Sequence, residues 1–181
     1  MERALAICEK ALGPEHPATA ANLNNLAGLL QDQGDLAGAR PLFERALAIC
    51  EKALGPEHPH TASGLINLAV LLQDEGDVAG ARPLLERALA INKKVLGPEH
   101  PHTNLARYYL SRLLLIIGLP TEALTLGETA LSAHSKVLGV DHTRTKDSAR
   151  VTADALDALG RTEEAKALRE RYGVAQASEM K

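Results

Sequence analysis

Histidine is the residue type whose spacing in this sequence most suggests chemistry. Four histidines recur every 42 residues, at His16, His58, His100 and His142, and HPH triplets add His60 and His102. Metal binding would need at least two imidazoles about 2 Å from one ion. Members one period apart are too widely separated for that, and no cysteine or carboxylate cluster completes a site. We therefore favour a structural role in the turn before the following proline, and we predict neither a metal ion nor a cofactor.

The two cysteines offer no catalytic or disulfide chemistry. Cys8 and Cys50 occupy equivalent positions one period apart. Equivalent helices in a stack lie about 8–10 Å apart, whereas the Cα atoms of a disulfide lie about 4.4–6.8 Å apart. Neither cysteine has a histidine at helical spacing, and burial should raise the thiol pKa instead of activating it. The sequence therefore predicts a non-enzymatic, cytoplasmic protein with reduced cysteines.

Composition argues against nucleic-acid and membrane partners. The net charge of −3 and the pI near 6.2 give no electrostatic case for nucleic acid. There is no Lys/Arg run to attract an anionic membrane, and no stretch approaches the roughly 18 apolar residues of a membrane span. With one Phe, three Tyr and no Trp, the core must be built from Leu and Ala, which suits closely packed helices.

The hexapeptide LGPEHP occurs three times at 42-residue intervals, with a diverged copy, LGVDHT, at 138–143. A period of this length is typical of a stacked array of similar units. Within a period the apolar residues follow helical spacing; Leu23, Ala27 and Leu30 form one stripe. Gly34 ends this helix and Asp35 can cap the next. Each unit is thus predicted to be a pair of antiparallel helices whose core the next pair completes.

The predicted fold class is all-α, an α-solenoid of stacked antiparallel helix pairs with about nine helices. The predicted array covers residues 1–172 and is followed by a polar tail. Counting from the hexapeptide gives a half repeat at 2–12, repeats at about 18–54, 60–96 and 102–138, a degenerate capping repeat at 144–172, and the tail at 173–181.

The spacing of small and apolar residues resembles the tetratricopeptide repeat (TPR) signature. The matching positions of the first unit are Leu23, Leu26, Ala27, Leu30, Gly34, Ala39, Phe43 and Ala46. The 42-residue period, with the segments LNNLAGLLQDQGD and RALAICEKALGPEHP, is similar to the kinesin light chain subfamily. The resemblance covers about residues 2–172 and weakens after residue 104. The departures are Ser111, Gly127, Thr152 and Arg169.

The resemblance implies a partner-binding site on a concave groove lined by the first helix of each unit. In kinesin light chains the matching asparagines hydrogen-bond the backbone of an extended cargo peptide, so Asn24, Asn25 and Asn67 are the expected contacts here. An amide suits this role because it donates and accepts at once. An alternative makes Asn25 and Asn67 a stabilising ladder between helices. The other expected groove residues are Gln31, Gln73, Tyr108, Tyr109, Arg112, Leu115 and Ile116.

Leu115 and Ile116 belong to the apolar run LLLII at 113–117. On a groove they would form an apolar patch, which marks a binding site or an aggregation-prone surface. The more polar last repeat could instead pack over them. The sequence leaves both arrangements open.

The sequence therefore favours a scaffold that binds a peptide or protein segment in its concave groove. The alternative is a self-association module, in which the unpaired helix at 2–12 and the apolar patch of the third repeat join copies of the chain into a homo-oligomer.

Overall fold

The computed structural model describes residues 2–175, except for the side chains of Glu2 and Ala4. The described residues form nine α-helices: α1 (Glu2–Leu12), α2 (Pro17–Asp32), α3 (Leu36–Leu54), α4 (Pro59–Asp74), α5 (Val78–Val95), α6 (Pro101–Ile116), α7 (Pro120–Leu138), α8 (Thr143–Ala158) and α9 (Thr162–Tyr172). Consecutive helices pack as antiparallel pairs, so the predicted all-α solenoid class is confirmed. Most of the predicted polar tail, residues 176–181, lies outside the described residues.

The turns before α2, α4, α6 and α8 share one hydrogen-bonding pattern. In each, the Nδ1 atom of the histidine at the helix start accepts from the backbone N–H two residues later, at 3.1–3.2 Å. A threonine three residues after the histidine donates through Oγ1 to a glycine carbonyl six residues earlier, at 2.8 Å. These threonine–glycine pairs are Thr19–Gly13, Thr61–Gly55, Thr103–Gly97 and Thr145–Gly139. The structural role predicted for the histidines is thereby confirmed.

The tight turn between the helices of a pair is also as expected. Gly34 has a φ of +82°, in the left-handed region that glycine tolerates best. The Asp35 carboxylate then accepts from the backbone N–H of Gly38 at 2.9 Å and caps α3. Asp77 caps α5 in the same way through Gly80.

The chain divides into two compact units between Leu96 and Gly97. In the first unit, α2 pairs with α3 and α4 with α5, while α1 packs on α2 and α3 on α4. Leu23, Ala46 and Ile49 are buried in its core. Ion pairs tie each second helix to an earlier segment of the chain: Arg45–Glu9, Lys52–Glu15, Arg87–Glu51 and Lys94–Glu57, all at 2.6–2.7 Å.

The second unit contains the pairs α6/α7 and α8/α9, with α7 also packed on α8. In α7, a glycine stands where the repeat places a large apolar residue in the middle of the second helix. Phe43 and Leu85 are buried in the first unit, whereas the equivalent residue of α7 is Gly127. An added Cβ at Gly127 would lie 2.8 Å from Thr152 Oγ1 and 3.1 Å from Ser111 Oγ. Helix α7 therefore approaches α6 and α8 closely at this point.

The same position in α9 is Arg169, whose side chain is 11% exposed. Its Nη2 lies 2.6 Å from Asp154 Oδ1 and its Nη1 lies 2.7 Å from Asp157 Oδ2. A guanidinium shared between two carboxylates of α8 thus takes the place of an apolar contact between α8 and α9.

Arg107 is a further departure, and one that the sequence analysis missed. It occupies the position of the buried Leu23 and Leu65, and it is itself buried. Its Nη1 donates to the Pro98 carbonyl and to Asn104 Oδ1. When the repeats are aligned at 42-residue intervals, Arg107 falls at a position that is a core leucine in the first two repeats. This alignment is the signal that could have identified it.

Candidate functional site

Helices α2 and α4 present the predicted asparagines on neighbouring faces within the first unit. Asn67 Nδ2 donates to Asn24 Oδ1 at 3.4 Å, so these two amides meet across the helices. Asn25 is exposed and is not part of this contact. The ladder considered as an alternative for Asn25 and Asn67 is therefore formed by Asn24 and Asn67, and it leaves the Asn25 amide open to solvent.

A cavity of about 410 Å³ adjoins these asparagines. Apolar and small side chains line much of it, and polar groups lie around them. The lining residues are Pro17, Ala18, Ala21, Asn24, Asn25, Cys50, Leu54, His60 and Ser63. Burial raises the pKa of the Cys50 thiol, as the sequence analysis predicted. The thiol is thus a neutral part of the cavity wall.

The two predicted glutamines lie near the C-terminal ends of the same helices. Gln31 Nε2 donates to Asp74 Oδ2 at 2.6 Å, which links α2 to α4 a second time. Gln73 is half-buried on α4. We call the face formed by Asn24, Asn25, Gln31, Asn67 and Gln73 the α2/α4 groove.

The remaining predicted residues lie in the second unit, on α6. The rings of Tyr108 and Tyr109 meet edge to face with centroids 5.0 Å apart, and the Arg112 guanidinium lies 5.6 Å from the centre of the Tyr109 ring. Burial raises the pKa of Tyr108, so its phenol stays protonated at neutral pH. These residues line a cavity of about 230 Å³ together with Leu105, His134, Arg144 and Asp147.

His134 is a titratable residue in the wall of this cavity. It is 3% exposed, and its Nδ1 lies 2.9 Å from Ser148 Oγ. Burial lowers its pKa, and the positive charges of Arg144 and His142 lower it further. The unfolded chain therefore takes up a proton that the folded chain resists. The contribution of neutral His134 to folding stability is complete above the ordinary histidine pKa of about 6.5. This contribution is lost as the pH falls below that value.

We expect His134→Gln to weaken the pH dependence of stability. The drop in melting temperature between roughly pH 7.5 and roughly pH 5.5 should be smaller in the variant than in the parent chain, because glutamine has no proton to take up. Circular dichroism melts at the two pH values measure this. His60→Gln, at an exposed histidine, controls for the loss of one imidazole. Equal drops in His134→Gln and the parent would contradict the assignment.

The apolar residues Leu115 and Ile116 differ in exposure. Leu115 is half-buried, whereas Ile116 is 58% exposed, so the last repeat does not cover Ile116. On α1, Ile7 and Leu12 are 59% and 52% exposed. Self-association through these two surfaces stays a prediction.

Within residues 2–175, no three His, Cys, Asp or Glu side chains are grouped so that they could hold a metal ion. In the same part of the chain, no helix combines the length and apolarity needed to span a membrane.

The sequence analysis did not identify the side chains that complete the two cavities. Cys50, His60 and Ser63 come from helices other than α2, and His134, Arg144 and Asp147 come from helices other than α6. None of the six lies 42 residues from a predicted site residue, so the repeat offset does not identify them in the sequence.

Comparison with known proteins supports the repeat assignment. Models of the tetratricopeptide repeat match residues 1–37, 19–93, 61–133 and 148–171. No curated protein gave a significant match. Among solved structures, a candidate kinesin light chain of Podosopora anserina with nearly identical TPR-like repeats is 34% identical, over 95% of this chain and 82% of that chain, with a TM-score of 0.73.

Two further structures are similar. A single-substitution variant of the Podosopora anserina protein is 32% identical, over 95% of this chain and 81% of that chain, with a TM-score of 0.76. BtubC (BKLC) of P. vanneervenii shares the fold, with a TM-score of 0.80 at 19% identity, over 95% of this chain and 68% of that chain. The chain therefore belongs to the tetratricopeptide repeat family, and within it to the kinesin light chain-like repeat proteins.

Proposed function

We propose that the α2/α4 groove binds an extended segment of a partner protein. Tetratricopeptide repeat domains are in general protein–protein interaction modules. The observation that supports this site most directly is the exposed Asn25 amide at the edge of a 410 Å³ cavity, next to the Asn24–Asn67 contact. The candidate kinesin light chain among the similar structures is consistent with this kind of role.

The chemistry of the groove suits an extended backbone. An extended peptide brings N–H and C=O groups that need partners when they leave water. Helix walls cannot supply these partners, because their own backbone groups are already bonded within the helix. Asparagine and glutamine side chains can, since each amide offers both donors and an acceptor. The groove places such amides on two adjacent helices.

The cavity beside the asparagines provides room for a side chain of the bound segment. Its floor contains Ala18, Ala21 and Cys50, and its rim contains His60 and Ser63. We infer that a mainly apolar side chain enters it, because burial of apolar surface contributes roughly 25 cal/mol per Å².

We further propose that the protein acts without catalysis. The repeat family is typically non-catalytic. The one buried cysteine that lines the cavity has a raised pKa, so the thiolate a nucleophile would need is disfavoured. On α6, Tyr108, Tyr109 and Arg112 are proposed as a second partner-binding surface within their own unit, where the phenols and the guanidinium offer hydrogen-bond donors.

The double substitution Asn25→Ala and Asn67→Ala should weaken peptide binding about tenfold or more. Each lost hydrogen bond to a peptide is worth about 0.5–1.5 kcal/mol, and a tenfold change corresponds to about 1.4 kcal/mol. Peptides selected from a random phage-displayed library on the immobilised chain serve as ligands, and fluorescence anisotropy gives their affinities.

Asn22→Ala is the matched control. Asn22 lies on the same helix, but its Nδ2 donates to the Ala18 carbonyl of α2 itself. The control should bind the selected peptides with unchanged affinity, and the melting temperature of the double variant should stay close to that of the parent. Selected peptides that bind the double variant as tightly as the parent would rule out the proposed site.

A further inference from the structure

A second surface lies between the second helices α7 and α9, over Thr152 and Leu156 of α8. It is a cleft of about 640 Å³ in the second unit. Its floor is mainly apolar and includes Leu131, Leu156, Leu168 and Tyr172; hydroxyl side chains lie among them, and charged residues lie towards the ends. We call it the α7/α9 cleft.

The two ends of the α7/α9 cleft carry opposite charges. Helices α7 and α9 both run antiparallel to α8, and therefore parallel to each other. Each begins its lining stripe with a glutamate and ends it with a cation: Glu128 and Lys136 on α7, Glu164 and Arg171 on α9. Glu128 and Lys136 are eight positions apart, which corresponds to about 12 Å of helix. Arg161 binds both oxygens of Glu164 at 2.7 Å, so the acidic end is partly neutralised and the basic end is not.

Arg171, at the basic end, has lost the carboxylate that pairs with its counterparts in the first unit. There, Arg87 lies 2.7 Å from Glu51, which precedes it by 36 residues, and Arg45 pairs in the same way with Glu9. The residue 36 positions before Arg171 is Ser135. Among the described residues Arg171 has no ion pair; its guanidinium lies 5.4 Å from the centre of the Tyr172 ring.

Lys136 also lacks an ion pair among the described residues, although the glutamate of the repeat is present there as Glu99. Its counterparts Lys52 and Lys94 pair with Glu15 and Glu57 at 2.6–2.7 Å. The α7/α9 cleft thus has an apolar floor that ends at two cations without ion pairs among the described residues, and at Ser135 it lacks the helix carboxylate that the first unit has.

The chemistry of the cleft walls determines whether an extended peptide or a helix can bind there. Helices α7, α8 and α9 use their own backbone groups, and the floor is lined by leucines. Between the charged ends, the lining offers an extended peptide only the hydroxyls of Ser132, Ser135 and Thr152, so most of its N–H and C=O groups would stay unpaired, at a cost of a few kcal/mol for each buried group. A helix satisfies these groups internally and can pack its apolar stripe between two parallel helices.

We propose that the α7/α9 cleft binds an amphipathic helix of a partner protein, with carboxylates in its first turn that pair with Lys136 and Arg171. The occupant lies antiparallel to α7 and α9. Its apolar stripe covers Leu131 and Leu168, and its basic last turn approaches Glu128. This orientation agrees with the helix dipole, which favours acidic residues in the first turn and basic residues in the last.

The test uses the full chain and two synthetic, end-capped helical peptides of about 16 residues. The first has glutamates in its first turn, leucines at i, i+3, i+4 and i+7 spacing, and lysines in its last turn. The second has the same composition with the glutamates and lysines exchanged. We expect the first to bind about tenfold more tightly by fluorescence anisotropy, because the second places like charges at both ends.

Ser135→Glu restores the carboxylate that the first unit has at this position. The new glutamate should pair with Arg171, as Glu51 pairs with Arg87, and weaken binding of the first peptide about tenfold or more. Thr129→Glu adds the same charge at an exposed position of α7 outside the cleft and should leave the affinity within about twofold. Circular dichroism confirms that both variants keep their helices.

Three outcomes would overturn the proposal. The first is no binding of either peptide at roughly 1 mM. The second is equal affinity for the two peptides, or an affinity unaffected by Ser135→Glu. The third is a dimer of the parent chain in light scattering that Ser135→Glu converts to a monomer, since the occupant would then be a second copy of the chain. Because the cleft and the α2/α4 groove share no residue, failure here leaves the proposed function intact.

Discussion

Replacing Gly127 by alanine should lower the melting temperature of the protein by roughly 3–6 °C. The new Cβ would lie 2.8 Å from Thr152 Oγ1 and 3.1 Å from Ser111 Oγ, closer than such contacts occur. Neither neighbour can withdraw easily, because Ser111 Oγ donates to the Ala123 carbonyl at 2.6 Å and Thr152 Oγ1 to the Ser148 carbonyl at 2.7 Å. Overpacking typically costs about 1–3 kcal/mol, and the better helix propensity of alanine returns up to about 1 kcal/mol.

We therefore expect a net loss of about 1–2 kcal/mol, which for a chain of this size corresponds to the stated shift of roughly 3–6 °C. Thermal unfolding followed by circular dichroism measures it. Larger residues at this position, such as the leucine found at position 85, should prevent the packing of α7 on α8 altogether.

Gly28→Ala is the matched control for this prediction. Gly28 also lies inside a helix, α2, but a Cβ added there would meet nothing within 4 Å. The equivalent residue of the next repeat is Val70, so the repeat itself accepts a side chain at this place. This variant should gain about 0.5–1 kcal/mol from helix propensity alone. If both variants shifted the melting temperature in the same direction, the close approach at Gly127 would not be the cause.

Arg169→Leu should destabilise the protein by about 2–4 kcal/mol. The substitution leaves the carboxylates of Asp154 and Asp157, three residues apart on α8 and each 24% exposed, without their shared cation. Removing one partner of a buried ion pair typically costs about 3–5 kcal/mol, and the partial exposure of these carboxylates reduces that figure. The gain of an apolar contact in α9 does not offset two uncompensated charges.

Two further variants test the origin of this loss. Arg161→Leu removes an arginine whose pair with Glu164 is equally short but exposed, so it should lower the stability far less than Arg169→Leu does. Changing Asp154 and Asp157 to asparagine in the Arg169→Leu chain should recover at least half of the lost stability, because neutral amides replace the unpaired charges. No recovery would show that arginine acts here through packing alone.

The turns were predictable from the sequence because their chemistry is local. Gly34 and Asp35 are adjacent, and each residue type has a specific preference for the end or the start of a helix. His58 and the proline after it likewise specify the beginning of α4 within a few residues. Helix spacing in Leu23, Ala27 and Leu30 then determined which face is buried, so the fold class followed.

The features that could not be predicted depend on contacts between distant segments. Gly127 appears in the sequence as a weak match to the repeat signature, and only the structure shows that two hydrogen-bonded side chains fill the missing volume. From the sequence, burial of Arg107 at a core position would be unfavourable; the structure shows that the Pro98 carbonyl and Asn104 accept hydrogen bonds from it. For the same reason, the sequence placed Asn24, Asn25 and Asn67 on one face without distinguishing the exposed amide from the paired ones.

The α2/α4 groove and the α7/α9 cleft differ in what they can hold. The α2/α4 groove has amides that can pair with an extended backbone, whereas the α7/α9 cleft has leucines and opposite charges that suit a helix. A scaffold with both could hold two segments of one partner, or one segment from each of two partners, without rearrangement of either unit.

The turn that precedes α2, α4, α6 and α8, with its histidine and threonine hydrogen bonds, has a consequence for how the gene can change. Its bonds join Thr61 to Gly55 and His58 to His60, so each junction is specified entirely within the stretch of DNA that encodes it. An in-frame duplication of one coding unit therefore produces a new junction that is already correct. Unequal crossing-over between the near-identical copies can then lengthen or shorten the array by whole units in a single event. Selection can therefore act on the length of the proposed binding surface before any residue of that surface has changed.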